Sequence, residues 1–206
     1  MEIPKKIMDK LLEYLPGGFY GLLSVAIYIF CDIMAILFFP GSYNFLENMI
    51  SDLGVGPGGI FFNLGLIISG IISIPFYMHL GRSLRSENIR SENLRKIAIV
   101  ASLISIITYI LIGFFPAIPE NQIIFFIHGT LALISWVTGS IYCSFFSILM
   151  LKDVKFSKLQ AYLGFIVSGI FILFLFTWWP LTEWLLTFAI IFWIIVNASY
   201  MLYHKI

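Results

Sequence analysis

The stretch FYGLLSVAIYIFCDIMAILFFP, Phe19 to Pro40, decides which solvent this chain folds in. From Phe19 to Phe39 it contains no Lys or Arg and one acid, Asp32. As a helix rising 1.5 Å per residue, such a run covers about 30 Å, the thickness of a bilayer's hydrocarbon core. Five more runs of the same kind follow, near Ile60–Leu80, Ile97–Phe115, Ile123–Met150, Leu159–Trp178 and Leu185–Leu202. They are about twice the length of a barrel strand, and backbone amides in lipid must find partners within their own segment, so helices are the assignment. The composition agrees: of 206 residues 60% are hydrophobic and 11% charged, where a soluble domain carries about 25% charged. Mean hydropathy is +0.99. The expected fold is all-α: a polytopic integral membrane protein of six transmembrane helices, one domain over residues 1–206.

Charge placement sets the expected topology. The 12 bases fall in the N-terminal segment (Lys5, Lys6, Lys10), loop 2–3 (Arg82, Arg85, Arg90, Arg95, Lys96), loop 4–5 (Lys152, Lys155, Lys158) and the C-terminus (Lys205). The other three loops hold none. Under the positive-inside rule both termini lie in the cytoplasm and the odd-numbered loops outside, a multi-pass protein of the cell membrane. The five bases of Arg82–Lys96 read as topology-setting charge on a solvated connector with a tandem R-S-E-N. Residues 1–18 lack the apolar core of a cleavable leader; Ile3, Ile7, Leu11 and Tyr14 recur at helical spacing, as in a juxtamembrane amphipathic segment ending at Pro16-Gly17-Gly18. Cys31 and Cys143 sit at depths roughly 18 Å apart along the helix axes, too far to bridge, and are expected as free thiols.

Each odd helix ends outside in two aromatics and a proline: Phe38-Phe39-Pro40, Phe114-Phe115-Pro116 and Trp178-Trp179-Pro180. Interfacial anchors followed by a helix breaker suggest three hairpins that turn outside. The first outer loop, residues 40–59, is much longer than a turn needs. On a helical wheel Asn44, Glu47, Asn48, Ser51 and Asp52 fall within an arc of about 140°, and Phe45, Leu46, Met49, Ile50 and Leu53 fill the opposite side. With Ser42 as N-cap and Gly54 beyond the C-terminus, Asn44–Leu53 is expected to form a three-turn amphipathic helix along the outer interface. Gly56-Pro57-Gly58-Gly59 then turns the chain into the second span.

Asp32 lies about 10 Å below the outer end of its helix and His128 about 8 Å below the outer end of the fourth. A carboxylate at that depth costs at least about 2.5 kcal/mol if unpaired, so Asp32 is expected to face the bundle with His128 as partner. A polar cavity opening outward follows, floored by Asp32 and His128 and roofed by the loop. Glu120 and Glu183 add acid near its mouth. Candidate catalytic residues are His128, Asp32, Ser51 and Asp52; candidate substrate contacts are Tyr43, Asn44, Glu47, Asn48 and Asn63. A His–carboxylate pair can act as general base on a lipid ester or phosphate, and Ser51 can complete a Ser–His–Asp set, although no G-x-S-x-G elbow marks it. The same pair can instead serve a proton-coupled carrier, against which no corresponding Gly/Pro-broken helices stand out, or simply hold helices together. His128 with Asp32, Glu47 and Asp52 could also hold a divalent cation through mixed N and O ligands, but no HxxxH, HExxH or paired Cys supports a metal site, and none is expected. His79 and His204 read as interfacial bystanders.

PGSYNFLENMISDLGVGPGGIFFNLGLIISG, followed by GFFP at Gly113–Pro116 and FIHGTLALISW at Phe126–Trp136, resembles the prokaryotic membrane family catalogued as domain of unknown function 998. More distantly, Ile50, Ser51, Asp52, Gly54, Pro57, Phe62, Asn63 and Gly65 are similar to a pattern of the Frag1/DRAM/Sfk1 family. The resemblance implies six helices and, through the distant relatives, a role with lipids; it puts weight on Ser51, Asp52, Asn63 and His128. The expected function is binding or processing of lipid headgroups in an outward-facing cavity, as a hydrolase or transferase if an enzyme. The alternatives are a lipid or small-solute carrier and a non-catalytic membrane partner. Membrane lipids are the expected partners, with no cofactor, no nucleic acid and no sign of a homo-oligomer.

Overall fold

The computed structural model describes residues 9–85 and 88–206. Among them six long helices occur and no strand: α1 (Gly17–Leu37), α2 (Gly59–Ser83), α3 (Ile89–Phe114), α4 (Gln122–Lys152), α5 (Lys158–Thr177) and α6 (Pro180–His204). All six are long and apolar enough to cross a membrane, and each coincides with an expected span. Residues 9–14 are also helical and stop before Pro16, which precedes α1; residues 1–8 of the expected amphipathic segment and part of the R-S-E-N repeat lie outside the described residues. The helix α3 starts well before its apolar run because Asn88 caps it, accepting hydrogen bonds from the Arg90 and Ser91 amides.

The chain runs up and down. Each helix packs on its neighbours in sequence, and α1 packs on α6, so the six close into a ring. Outward faces carry exposed Phe30, Ile33, Ile71, Val100, Phe176 and Phe192, as lipid contact requires. Inward faces are small or hydroxylic. Ser24, Tyr28 and Asp32 repeat every fourth residue on α1, Ser69, Ser73 and Tyr77 on α2, and all six are buried. Where α4 and α5 meet, Gly164 lies against Ser147 Oγ and the Cys143 carbonyl, and a Cβ there would overlap the former and crowd the latter.

Two buried clusters fill the ring. One lies toward the end that carries the bases. Phe76, Tyr77, Tyr142 and Trp193 meet there ring on ring, with Tyr77 and Trp193 stacked at 6.3 Å and Tyr77 and Tyr142 edge-on at 5.3 Å. The other, at the opposite end, joins Ile50 and Leu53 of the long loop to Ala35, Phe62, Ile112 and Trp184. The aromatic-proline pattern survives at the helix ends: α1, α3 and α5 stop at Leu37, Phe114 and Thr177, and Pro180 opens α6. Cys31 and Cys143 are free.

The first loop departs from expectation. Instead of a three-turn helix over Asn44–Leu53 it forms a turn and a five-residue 3-10 helix, Ile50–Gly54. The cause is the polar side chains that made the pattern amphipathic. Asn48 Oδ1 accepts from the Asn44 amide, Asn44 Oδ1 from the Leu46 amide and Asp52 Oδ2 from the Met49 amide. Asn and Asp offered this way compete with the helical ladder, and Met49 is extended at φ −69°, ψ 153°. The apolar side is therefore split: Ile50 and Leu53 are buried, whereas Phe45 and Leu46 stay exposed.

Candidate functional site: a lidded cavity inside the bundle

A cavity of about 180 Å³ runs along the axis of the ring. At the loop end it is lined by Ile50, Ser51, His128 and Glu183. Its middle is lined by Tyr28, Ser69, Ser105, Tyr109 and Ser135, and Tyr77 and Tyr142 stand at its far end. Between these hydroxyls the walls are Val25, Phe62, Leu66, Ala132, Ile190 and Ile194. The result is an apolar shaft with hydroxyls at intervals, with the aromatic cluster below it and the loop above.

The loop is a fastened lid. Glu183, in the first turn of α6, is 5% exposed, and its Oε2 accepts from the Ile50 amide at 2.8 Å. Ser51 also hydrogen-bonds to Glu183. Tyr43 donates its hydroxyl to the Met49 carbonyl at 2.8 Å and accepts from Trp184 Nε1 at 3.0 Å. Asn63 Nδ2, in α2, donates to the Gly54 carbonyl at 3.0 Å. Gly56, at φ +84°, supplies the left-handed turn that brings the lid back to α2. Burial raises the Tyr43 hydroxyl well above its ordinary pKa. Burial also raises the Asp52 carboxyl, opposed by hydrogen bonds from the Met49 amide and Asn48 and by the nearby His128.

His128 is buried and its Nδ1 lies 2.8 Å from the Phe115 carbonyl. A carbonyl only accepts, so Nδ1 carries the proton and Nε2 keeps its lone pair. The His128–Asp32 pair is a point of difference. No hydrogen bond or ion pair joins the two among the described residues; the carboxylate that acts on His128 is Asp52. Asp32 is buried next to Tyr28, does not line the cavity, and its Oδ1 has no hydrogen-bond partner among the described residues. Depth along a helix axis placed the two groups at one level; it carried no information about which way each faces.

Of the candidate residues, Ser51 and His128 thus border the cavity, and Asp52 stands near His128. Tyr43, Asn48 and Asn63 hold the lid together, Asn44 shapes its turn, and Glu47 is exposed at its outer surface. Glu183 was legible as acid near the mouth, but its hold on the lid was not. The wall hydroxyls were missed, although Ser or Tyr at every fourth position on α1 and α2 was a readable sign. Among the described residues no group of three or more His, Cys, Asp or Glu is placed to hold a metal ion.

These features define a multi-pass helical membrane protein built around a lidded internal cavity. The chain belongs to the family described as "Protein of unknown function (DUF998)", whose family model matches residues 22–200. No curated protein and no solved structure matches it.

Proposed function

We propose that the protein binds an amphipathic lipid, with its headgroup beneath the lid and part of its chain in the shaft. The observation that carries this reading is the polarity gradient of the cavity: Ser51, His128 and Glu183 gather at one end, and apolar walls broken by single hydroxyls continue from there. The chemistry at the lid narrows the headgroup. His128 Nε2 and the Glu183 carboxylate are acceptors. Deeper in the shaft, away from the lid, Ser24 and Ser73 already donate to the Gly21 and Gly70 carbonyls, which leaves their oxygens free to accept. Among the described residues no Lys or Arg lines the cavity. A headgroup rich in N–H or O–H donors, an amine or several hydroxyls, suits such a site better than a bare phosphate.

Processing of that lipid is the natural extension, since the fixed tautomer of His128 leaves Nε2 able to take a proton from a headgroup hydroxyl or from water. Asp52 beside it would favour the resulting imidazolium. The test is retention of phosphatidylethanolamine, which has donors, over phosphatidylcholine, which has none, by protein taken from nanodiscs containing both and examined by native mass spectrometry. Selective retention is expected, with loss in Ala132→Phe, which fills the shaft, and in Ser51→Ala, which leaves its volume unchanged. Equal retention of the two lipids, or retention by both variants, would overturn the proposal. Lipid products accumulating with wild type and not with His128→Asn would identify an enzyme. Flux into proteoliposomes would identify a carrier.

A further inference from the structure

A second cavity, separate from the first, opens at the other end of the bundle. It has a volume of about 860 Å³ and is bordered by His79, Arg82, Lys155, His204 and Lys205. These residues come from three places far apart in the chain: the last turns of α2, the α4–α5 link and the end of α6. Leu12, from residues 9–14, completes one side.

Its charge is unbalanced. Arg82 is tied to Asp9 at 2.6 Å, but among the described residues neither Lys155 nor Lys205 has an ion-pair partner. Asp153, the nearest acid in the link, spends Oδ1 on the Lys155 amide and does not line the crevice. Among the described residues, Arg82, Lys155 and Lys205 thus stand against the carboxylates of Asp9 and of the last residue, Ile206. A further donor is built in. The Gly17 amide, at the start of α1, donates to His79 Nδ1 at 3.0 Å. Nδ1 must therefore hold the lone pair, which puts the ring proton on Nε2 as a donor. Tyr200 fixes the opposite wall, donating to the Lys155 carbonyl at 3.0 Å and packing against His204 with ring centroids 4.0 Å apart.

Depth and apolar trim select the occupant. The crevice lies where α2 ends at Ser83, α6 at His204 and α1 begins at Gly17, so it sits at the edge of the membrane-spanning region, where lipid phosphates lie. Leu12, Ile206 and the fully exposed Val154 put apolar surface beside the bases. A soluble anion has no use for that surface, and an acyl chain does. We infer that this crevice is a binding site for the phosphate of an anionic membrane lipid, with Arg82, Lys155 and Lys205 as its cations and His79 Nε2 as a neutral donor. It mirrors the lidded cavity in charge: one end of the molecule presents acceptors, the other presents donors. The inference does not depend on the lipid proposed for the first cavity.

The experiment compares retention of phosphatidylglycerol with that of phosphatidylcholine by protein released from mixed nanodiscs. Wild type is expected to keep phosphatidylglycerol preferentially. Lys155→Gln with Lys205→Asn should lower that preference by roughly fivefold for each base removed; Asn is chosen because Lys205 has φ 52°. The control is Lys152→Gln with Lys158→Gln, which removes the same charge from exposed positions outside the crevice. An equal loss in that control would mean diffuse attraction rather than a site, and would overturn the inference. So would unchanged retention in the crevice variant. Inorganic phosphate at millimolar concentration should not strip the lipid; if it binds as well as the lipid does, the site serves a soluble anion and the inference falls.

Discussion

Removing the Glu183 carboxylate should open the lid without dissolving the bundle. Glu183 Oε2 is the acceptor for the Ile50 amide, and Ile50 itself is 6% exposed. In Glu183→Leu that amide keeps its burial and loses its partner, a cost of about 1–3 kcal/mol. Since the closed lid alone suffers, the open population should rise roughly 5- to 150-fold. Glu183→Gln retains a carbonyl oxygen at the same reach and should cost less than about 1 kcal/mol. Two readouts apply: hydrogen exchange of a peptide covering residues 44–55, and labelling of Ser51→Cys by a membrane-impermeant maleimide after Cys31 and Cys143 are changed to Ser. Both should accelerate in the order wild type, Gln, Leu, while exchange in α2 and α4 stays slow. If exchange over residues 44–55 is the same in Glu183→Leu as in wild type, the lid is not held from α6. The reading of the loop as a closure would then be wrong.

Other consequences can be tested alongside. Gly164→Ala should lower thermal stability by about 1–3 kcal/mol, because the new methyl overlaps Ser147 Oγ and lies 3.0 Å from Trp193 Nε1; adding Ser147→Gly should restore part of the loss. His128→Asn keeps a donor near the Phe115 carbonyl but lacks Nε2, so lipid selectivity should vanish with little change in melting temperature. His128→Gln, which loses the Phe115 contact, should cost more stability. The Asp52 carboxyl is raised in the folded lid, so the folded state holds its proton more tightly than the unfolded chain. The stabilisation it gives is complete below the ordinary value of 3.8 and is lost as pH rises through the raised one. Lid exchange, corrected for intrinsic rates, should therefore quicken as pH rises across that window, and Asp52→Asn should flatten the trend.

The spans were legible because lipid imposes a single rule, length and apolarity, that a run such as Phe19–Phe39 either meets or fails. The place of the loop over the cavity was legible and its shape was not. Its alternating polarity fits a helical wheel, but Asn44, Asn48 and Asp52 turn their oxygens on nearby amides and break the helix that the wheel assumes. Asp32 and His128 show a second limit. Hydropathy fixes a residue's height, and height alone cannot tell a partner across the bundle from a group facing another neighbour. His128 found a carbonyl thirteen residues earlier, at Phe115. Ser69 and Tyr109 illustrate what pattern could have supplied: each sits on a stripe of small or hydroxylic residues at helical spacing, and they meet at 3.2 Å across the cavity wall. The contact of Glu183 with Ile50, across 133 positions of chain, depends on α6 closing the ring against α1, and no local signal reports that.

The aromatic floor at Tyr77, Tyr142 and Trp193 also has an electrical meaning. A full crossing of the membrane is worth about 2.3 kcal/mol per charge for every 100 mV. A charged headgroup that enters beneath the lid stops near Glu183 and His128, in the first turns of their helices, and leaves the floor and everything below it uncrossed. Binding there should respond weakly to membrane voltage, however strongly it responds to headgroup chemistry. A transport cycle would have to carry the same charge through the stacked rings, and its rate would follow the voltage. The floor thus separates a receptor for lipid from a conveyor of it by a measurement that needs no knowledge of the lipid.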